Sequence, residues 1–192
     1  ACSIAADAYG QYTNNLGVCV VTTGPGGTNA ITGLAAAWLD STPTLFISGQ
    51  VQKKDMASGL GVRQIGFQEI DMVSIVKPLT KYAVTITDPE TIKHHMEKAV
   101  YLARTGRPGP AWIDIPLDVQ AVSIDPTTQA GYTPDPTSSV DLSQLVSEII
   151  PALNKAKRPI ILAGNGVRLA GAIDEFNELT DALQIPILTT WK

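Results

Sequence analysis

The residues best suited to chemistry in this 192-residue chain begin with one turn, Thr22-Thr23-Gly24-Pro25-Gly26-Gly27-Thr28-Asn29, set between an apolar run and a small-residue segment. Glycine lets main chain approach a ligand with no Cβ in the way, and the first N–H groups of a helix lack intrahelical partners. Such a junction is a candidate ligand cradle. It is not the dinucleotide fingerprint G-x-G-x-x-G, because Thr28, Asn29 and Ala30 follow the glycines. Nor is it a P-loop, since no Lys-Ser/Thr pair follows. A plain strand-to-helix turn capped by Thr28 or Asn29 explains the same residues, and spacing alone does not separate the two readings. Cys2 and Cys19 are too few for a disulfide framework and have no metal-ligand spacing, so both read as reduced packing residues. His94 and His95 have no cysteine close in sequence and read as helix-surface and half-buried residues rather than metal ligands. No metal-binding residue is expected.

The elements that must carry this turn follow from hydrophobic patterning. Buried strands are expected at Val18–Thr22, Thr42–Gly49, Thr80–Ile86 and Pro110–Pro116, and helices at Ala1–Asn15, Gly27–Leu39, Phe67–Val76 and Thr87–Gly106. In the last of these, Thr87 with Glu90 predicts a capping box, Pro89 lies in the first turn and Gly106 marks the C-terminal cap. Val51–Gly66, polar and glycine-punctuated, is expected to be a loop of functional type. Alternating buried strands and helices predict an α/β fold with a parallel sheet flanked by helices over residues 1–122. A linker rich in Pro, Ser and Thr follows at 123–140. Residues 141–192 then read as the first part of a second, Rossmann-like α/β domain: helix Leu142–Lys155, strand Arg158–Gly164, helix Ala170–Leu183 and strand Ile185–Thr190. The chain opens inside a helical pattern and closes on an uncovered strand, so it is expected to be an internal piece of a longer protein, truncated at both ends.

Composition narrows the function. The chain is 44% hydrophobic and 17% charged with a net charge of -4, which describes a globular protein without a basic footprint for nucleic acid. No apolar run is long enough to cross a bilayer and no signal segment opens the chain, so no membrane partner and a cytoplasmic location are expected.

The stretch from Ala5 to Gln50, with Gly24-Pro25-Gly26-Gly27 at its centre, resembles the pyrimidine-binding domain of thiamine diphosphate enzymes, and within them the acetolactate synthase group. The resemblance continues through Phe67–Ala83 and Gly106–Gln120, and Arg158–Ala172 is similar to the central domain of the same family. It implies an enzyme, a transferase or lyase, that decarboxylates a 2-keto acid such as pyruvate and joins the carbanion to an acceptor carbonyl. It further implies thiamine diphosphate with Mg2+, bound between two subunits of a homodimer or homotetramer, the cofactor carrying the electron-sink chemistry. The family's glutamate for the pyrimidine ring falls just before Ala1, so the piece alone is expected to bind no cofactor tightly and to be inactive.

By the same resemblance Gln50 faces the reacting carbon as the catalytic residue, its amide able to donate and accept; a solvent-facing loop amide is the alternative. Thr23, Gly24, Pro25 and Asn29 form the thiamine diphosphate set, Asn29 more as a helix cap than as a contact. Gln68 and Glu69 match a motif beside the site entrance, although Glu69 also suits a cap for the short helix. Lys81 matches a family position, with a solvated strand-end lysine as its alternative. Gly164, Asn165 and Gly166 match a turn that holds FAD in acetolactate synthases. Asn165 stands there for a glycine, and Lys77 stands where flavin-binding members carry arginine, without its planar fork. Two other functions compete: another thiamine diphosphate enzyme, such as a 2-keto acid decarboxylase or an oxalyl-CoA decarboxylase-like lyase, and a non-catalytic nucleotide-binding or assembly module.

Overall fold

Runs of β-branched and aromatic residues make four parallel strands in the first of two compact units, Ala1–Pro134 and Asp135–Lys192. The computed structural model describes residues 1–57, 59–136 and 141–191; the end of the expected linker, 137–140, lies outside the described residues. The strands are β1 (Gly17–Val21), β2 (Thr44–Gln50), β3 (Tyr82–Thr85) and β4 (Pro110–Pro116), in the spatial order β1-β2-β4-β3. Ser48 is in register with Asp114, which is in register with Thr85. Residues in register share a sheet face, so these three side chains form one row.

Helices pack on both faces, as a parallel sheet requires, although Val18 and Val20 of β1 stay exposed on one of them. Helix α1 (Cys2–Thr13), α2 (Pro25–Asp40) and α3 (Met72–Val76) pack Ala6, Leu34 and Met72 against Cys19, Phe46 and Trp112. Helix α4 (Ile92–Arg104) packs Ala99 and Ala103 against Leu45, Ala111 and Ile113 on the other face. The Phe46 and Trp112 rings stack at 5.1 Å and 4°; fully burying a side chain the size of Phe46 stabilises by about 2–3 kcal/mol. A single turn, α5 (Leu117–Gln120), follows β4. The expected parallel α/β fold is the one observed.

Local chemistry moves several boundaries. Helix α3 starts at Met72 rather than Phe67, because Asp71 caps it by accepting from Ser74 N at 3.0 Å. The cap before α4 is Asp88, accepting from Glu90 N at 3.0 Å, in place of the expected Thr87–Glu90 box. Gly106 adopts φ +60 just after that helix's C-cap, Thr105. Of the two expected packing cysteines only Cys19 is buried; Cys2 is exposed, with its Sγ 3.1 Å from Cys19 Sγ. Burial pushes the Cys19 thiol up to about 12.

The second unit holds α6 (Leu142–Lys155), β5 (Ile161–Ala163), α7 (Gly166–Leu169), α8 (Ile173–Leu183) and β6 (Ile187–Thr189). Its two strands pair in parallel, Ile161 with Ile187. Helix α8 begins three residues later than the pattern suggested, after a turn at Gly171 with φ +69. Among the described residues no helix is long and apolar enough to cross a membrane.

Candidate functional site

The glycine turn links β1 to α2 at the C-terminal edge of the sheet, where ligands of parallel α/β folds collect. Gly24 is the N-cap of α2 with φ +58 and ψ -116, and Pro25 opens the helix. A Cβ on Gly24 would stand 2.2 Å from the Gln68 carbonyl oxygen, and one on Gly27 would stand 2.7 Å from Met72 Sδ. These glycines therefore admit the protein's own chain first. Because α2 starts at Pro25, Thr28 and Asn29 lie inside it and neither is the cap. Thr28 N donates to Gly24 O at 3.0 Å, and Asn29 is exposed.

Gln50 ends β2 and is 5% exposed, which rules out the solvent-facing alternative. Its Oε1 accepts from Thr23 Oγ1 at 2.8 Å and from Val51 N at 2.9 Å. Its Nε2 donates to Ile70 O at 2.9 Å and to Asp114 Oδ2 at 3.0 Å. An amide has two donors and two acceptor positions, so Gln50 is saturated in this conformation. To touch a ligand it must exchange a partner. Thr23, half-buried at the rim, is the partner within reach of the outside.

Asp114 is the site residue that the sequence reading missed. It is 1% exposed in the middle of β4. Ser48 Oγ donates to its Oδ1 at 2.5 Å, and Thr85 Oγ1 reaches Oδ2 at 3.4 Å. Ser48 in turn accepts from Trp112 Nε1 at 2.8 Å. Burial pushes the Asp114 carboxyl up to about 6, against the pull of the Ser48, Gln50 and Thr85 hydrogen bonds. The signal was available: a lone carboxylate between Ile113 and Ile115 in a strand buried on both faces.

A cleft of about 710 Å³ opens at the ends of β1, β2 and β4. Val20, Ile47, Ile115 and Leu117 give it apolar walls, while Thr22, Thr23 and Gln50 line it with polar groups. Among the described residues no charged side chain lines it. That lining suits an uncharged aromatic ring and holds no cationic side chain for a diphosphate. Among the described residues no group of three His, Cys, Asp or Glu is placed to hold a metal ion.

The remaining candidates disperse. Glu69 caps no helix: its Oε1 accepts from Ala57 N at 2.5 Å and its Oε2 from Ile65 N at 3.1 Å, closing the 51–66 loop. Gln68 contributes backbone, with φ +62, against Gly24. Lys81 sits at the opposite edge of the sheet from Gln50, beside Pro110, and its Nζ donates to Thr105 O at 2.5 Å; burial lowers its pKa. His95 Nδ1 pairs with Tyr82 Oη at 2.6 Å, and burial lowers its pKa. Lys77 is exposed. In the second unit Gly164 follows β5, Asn165 precedes α7 and accepts from Arg168 Nε at 3.2 Å, and the space beside Gly166 is open.

Comparison with known proteins gives two family matches. Residues 1–75 match the thiamine pyrophosphate enzyme N-terminal TPP binding domain, and residues 146–192 match the central domain of the same enzymes. The acetolactate synthase large subunit of Lactococcus lactis is 38% identical over 189 residues, which is 96% of this chain and 32% of that protein. The acetolactate synthase of Arthrospira platensis is 38% identical over 193 residues, 97% of this chain and 32% of that protein. The acetolactate synthase isozyme 3 large subunit of Escherichia coli K12 is 35% identical over 192 residues, 95% of this chain and 32% of that protein. The chain thus spans about a third of the length of these curated relatives.

Proposed function

The chain belongs to the thiamine pyrophosphate enzymes, and on that premise we propose that it supplies the pyrimidine side of a thiamine diphosphate site in an acetolactate synthase-like enzyme. The reaction proposed is decarboxylation of a 2-keto acid, pyruvate first, and transfer of the resulting two-carbon unit to an acceptor carbonyl. The bound cofactor supplies the electron sink. The observation that carries the reading is the uncharged cleft at the C-terminal strand ends, with Thr23 and Gln50 in its lining.

In this reading Gly24 and Pro25 set the main chain against the ring, and Thr23 provides its polar contact. Gln50 keeps both donors on Ile70 O and Asp114 and its bond from Thr23, so it acts on a bound group through the Thr23 hydroxyl. The diphosphate and Mg2+ are held by groups outside this cleft, consistent with a site shared between the subunits of a homodimer or homotetramer in the cytoplasm. The chain alone therefore binds thiamine diphosphate weakly and turns nothing over. FAD stays outside the proposal, because Asn165 stands at the second turn for a glycine and Lys77 for an arginine with its planar fork.

The test uses the full-length gene product containing this chain. With thiamine diphosphate and Mg2+ it converts pyruvate to carbon dioxide and 2-acetolactate. Formation of acetaldehyde instead would make it a decarboxylase, and absence of any pyruvate-dependent carbon dioxide would remove the reading. For the 192-residue chain, calorimetric titration with the same cofactor and Mg2+ shows no tight binding.

A further inference from the structure

Asp114 is a buried carboxylate with no cationic partner among the described residues. Its hydrogen bonds come from Ser48, Gln50 and, at the limit of length, Thr85, and the charged group acting on it is Asp71, at the N-cap of α3, which repels it. Isolated buried charge is costly, and three neutral donors offset only part of that cost. The bonds around it run in one direction. Trp112 donates to Ser48, which leaves the single Ser48 hydroxyl proton for Asp114. Gln50 points Nε2 to Asp114 and Oε1 to Thr23, an orientation already fixed by its bonds to Ile70 O and Val51 N. Thr23 Oγ1 spends its proton on Gln50 Oε1. Its lone pairs are what it has left to offer the cleft.

We infer that Asp114, Gln50 and Thr23 form a polarised relay whose end, Thr23 Oγ1, is a strengthened hydrogen-bond acceptor in the cleft, so that this point takes a ligand group that donates a hydrogen bond. Charge at Asp114 polarises the Gln50 amide and, through it, the Thr23 hydroxyl, because hydrogen bonds in chains reinforce one another away from water. Thr23 binds; Asp114 is a positioning residue that acts through Gln50. The identity of the ligand rests on the function proposed above, but the relay itself does not.

The relay is tested in the 192-residue chain by NMR. The Gln50 side-chain amide resonances shift with pH in step with the Asp114 carboxyl carbon, with a shared midpoint near 6. Asp114→Asn abolishes the shift, and Ser48→Ala raises the midpoint, since a donor to the ionised carboxylate is lost. Gln50 resonances that stay still while the Asp114 carbon titrates overturn the relay, as does an unmoved midpoint in S48A. The wild-type titration decides the matter even where a variant does not fold. In the full-length protein, Asp114→Asn and Thr23→Val each weaken thiamine diphosphate about tenfold, the scale of one hydrogen bond, while Thr23→Ser stays close to wild type. The double variant is no weaker than the worse single one, as expected of coupled residues. Additive losses overturn the relay. A full-length protein that ignores the cofactor but keeps the coupled titration sinks the thiamine reading and leaves the relay standing.

Discussion

Gly24 carries two separate constraints, and substitution can tell them apart. Its φ of +58 with ψ of -116 is a conformation that side chains avoid, costing about 1–3 kcal/mol for any residue with a Cβ. The contact with Gln68 O comes on top, and that oxygen is backbone, which cannot swing away. Gly106 also has positive φ, +60, but a Cβ there meets nothing within 4 Å. Urea unfolding of Gly24→Ala and Gly106→Ala therefore gives the larger loss for Gly24, by at least about 1 kcal/mol beyond the dihedral cost at Gly106. Equal losses would mean that the Gln68 contact relaxes freely. At this scale the sequence was legible in part. Gln50 was placed at its strand end because an apolar run stops there, yet its saturation was not readable: its partners lie 27, 20 and 64 residues away. Asp114 was legible as a lone carboxylate in a buried strand, but only the register of β2 and β3 beside it shows that its neighbours are hydroxyls.

The loop after β2 shows how one carboxylate organises an element that lacks regular structure. Glu69 accepts from Ala57 and Ile65, and Gly66 N donates to Asp55 O at 2.8 Å, so the loop is pinned at both ends beside Gln50. Glu69→Ala frees both backbone donors. Amide exchange at Ala57 and Ile65 then accelerates by about tenfold or more, matching the loss of one to two hydrogen bonds, while exchange in β4 stays slow. Protection unchanged at those two amides would show that the loop holds itself. Strand β4 and helix α6 were readable residue for residue, since Pro110 and Pro116 bound the one and Asp141 caps the other. Helix α3 was not. Its apolar residues run back to Phe67, but tertiary packing holds Gln68 at φ +62, and Asp71 then takes the cap.

For the whole molecule, the buried Asp114 makes folding stability depend on pH with a definite sign. Its carboxyl titrates near 6 in the folded chain against an ordinary 3.8, so the folded state holds the proton more tightly than the unfolded one. Stability from that group is fully present below the unfolded value and fades as pH rises through the folded one. The gap of about two pH units corresponds to about 3 kcal/mol, lost between pH 4 and pH 7. His95 works the other way: burial lowers its pKa, so its contribution is present above the ordinary value of 6.5 and is lost as pH falls. A raw melting profile mixes the two. Subtracting the profile of Asp114→Asn removes His95 and isolates the carboxylate. The variant loses hydrogen bonds at every pH but has no proton to lose, so its disadvantage is greatest near pH 4 and shrinks, or reverses, by about 3 kcal/mol by pH 7. Denaturant unfolding of both proteins across that range checks it. Parallel profiles would mean that the carboxyl titrates in the folded chain at its ordinary value, hydrated or paired rather than stripped of water.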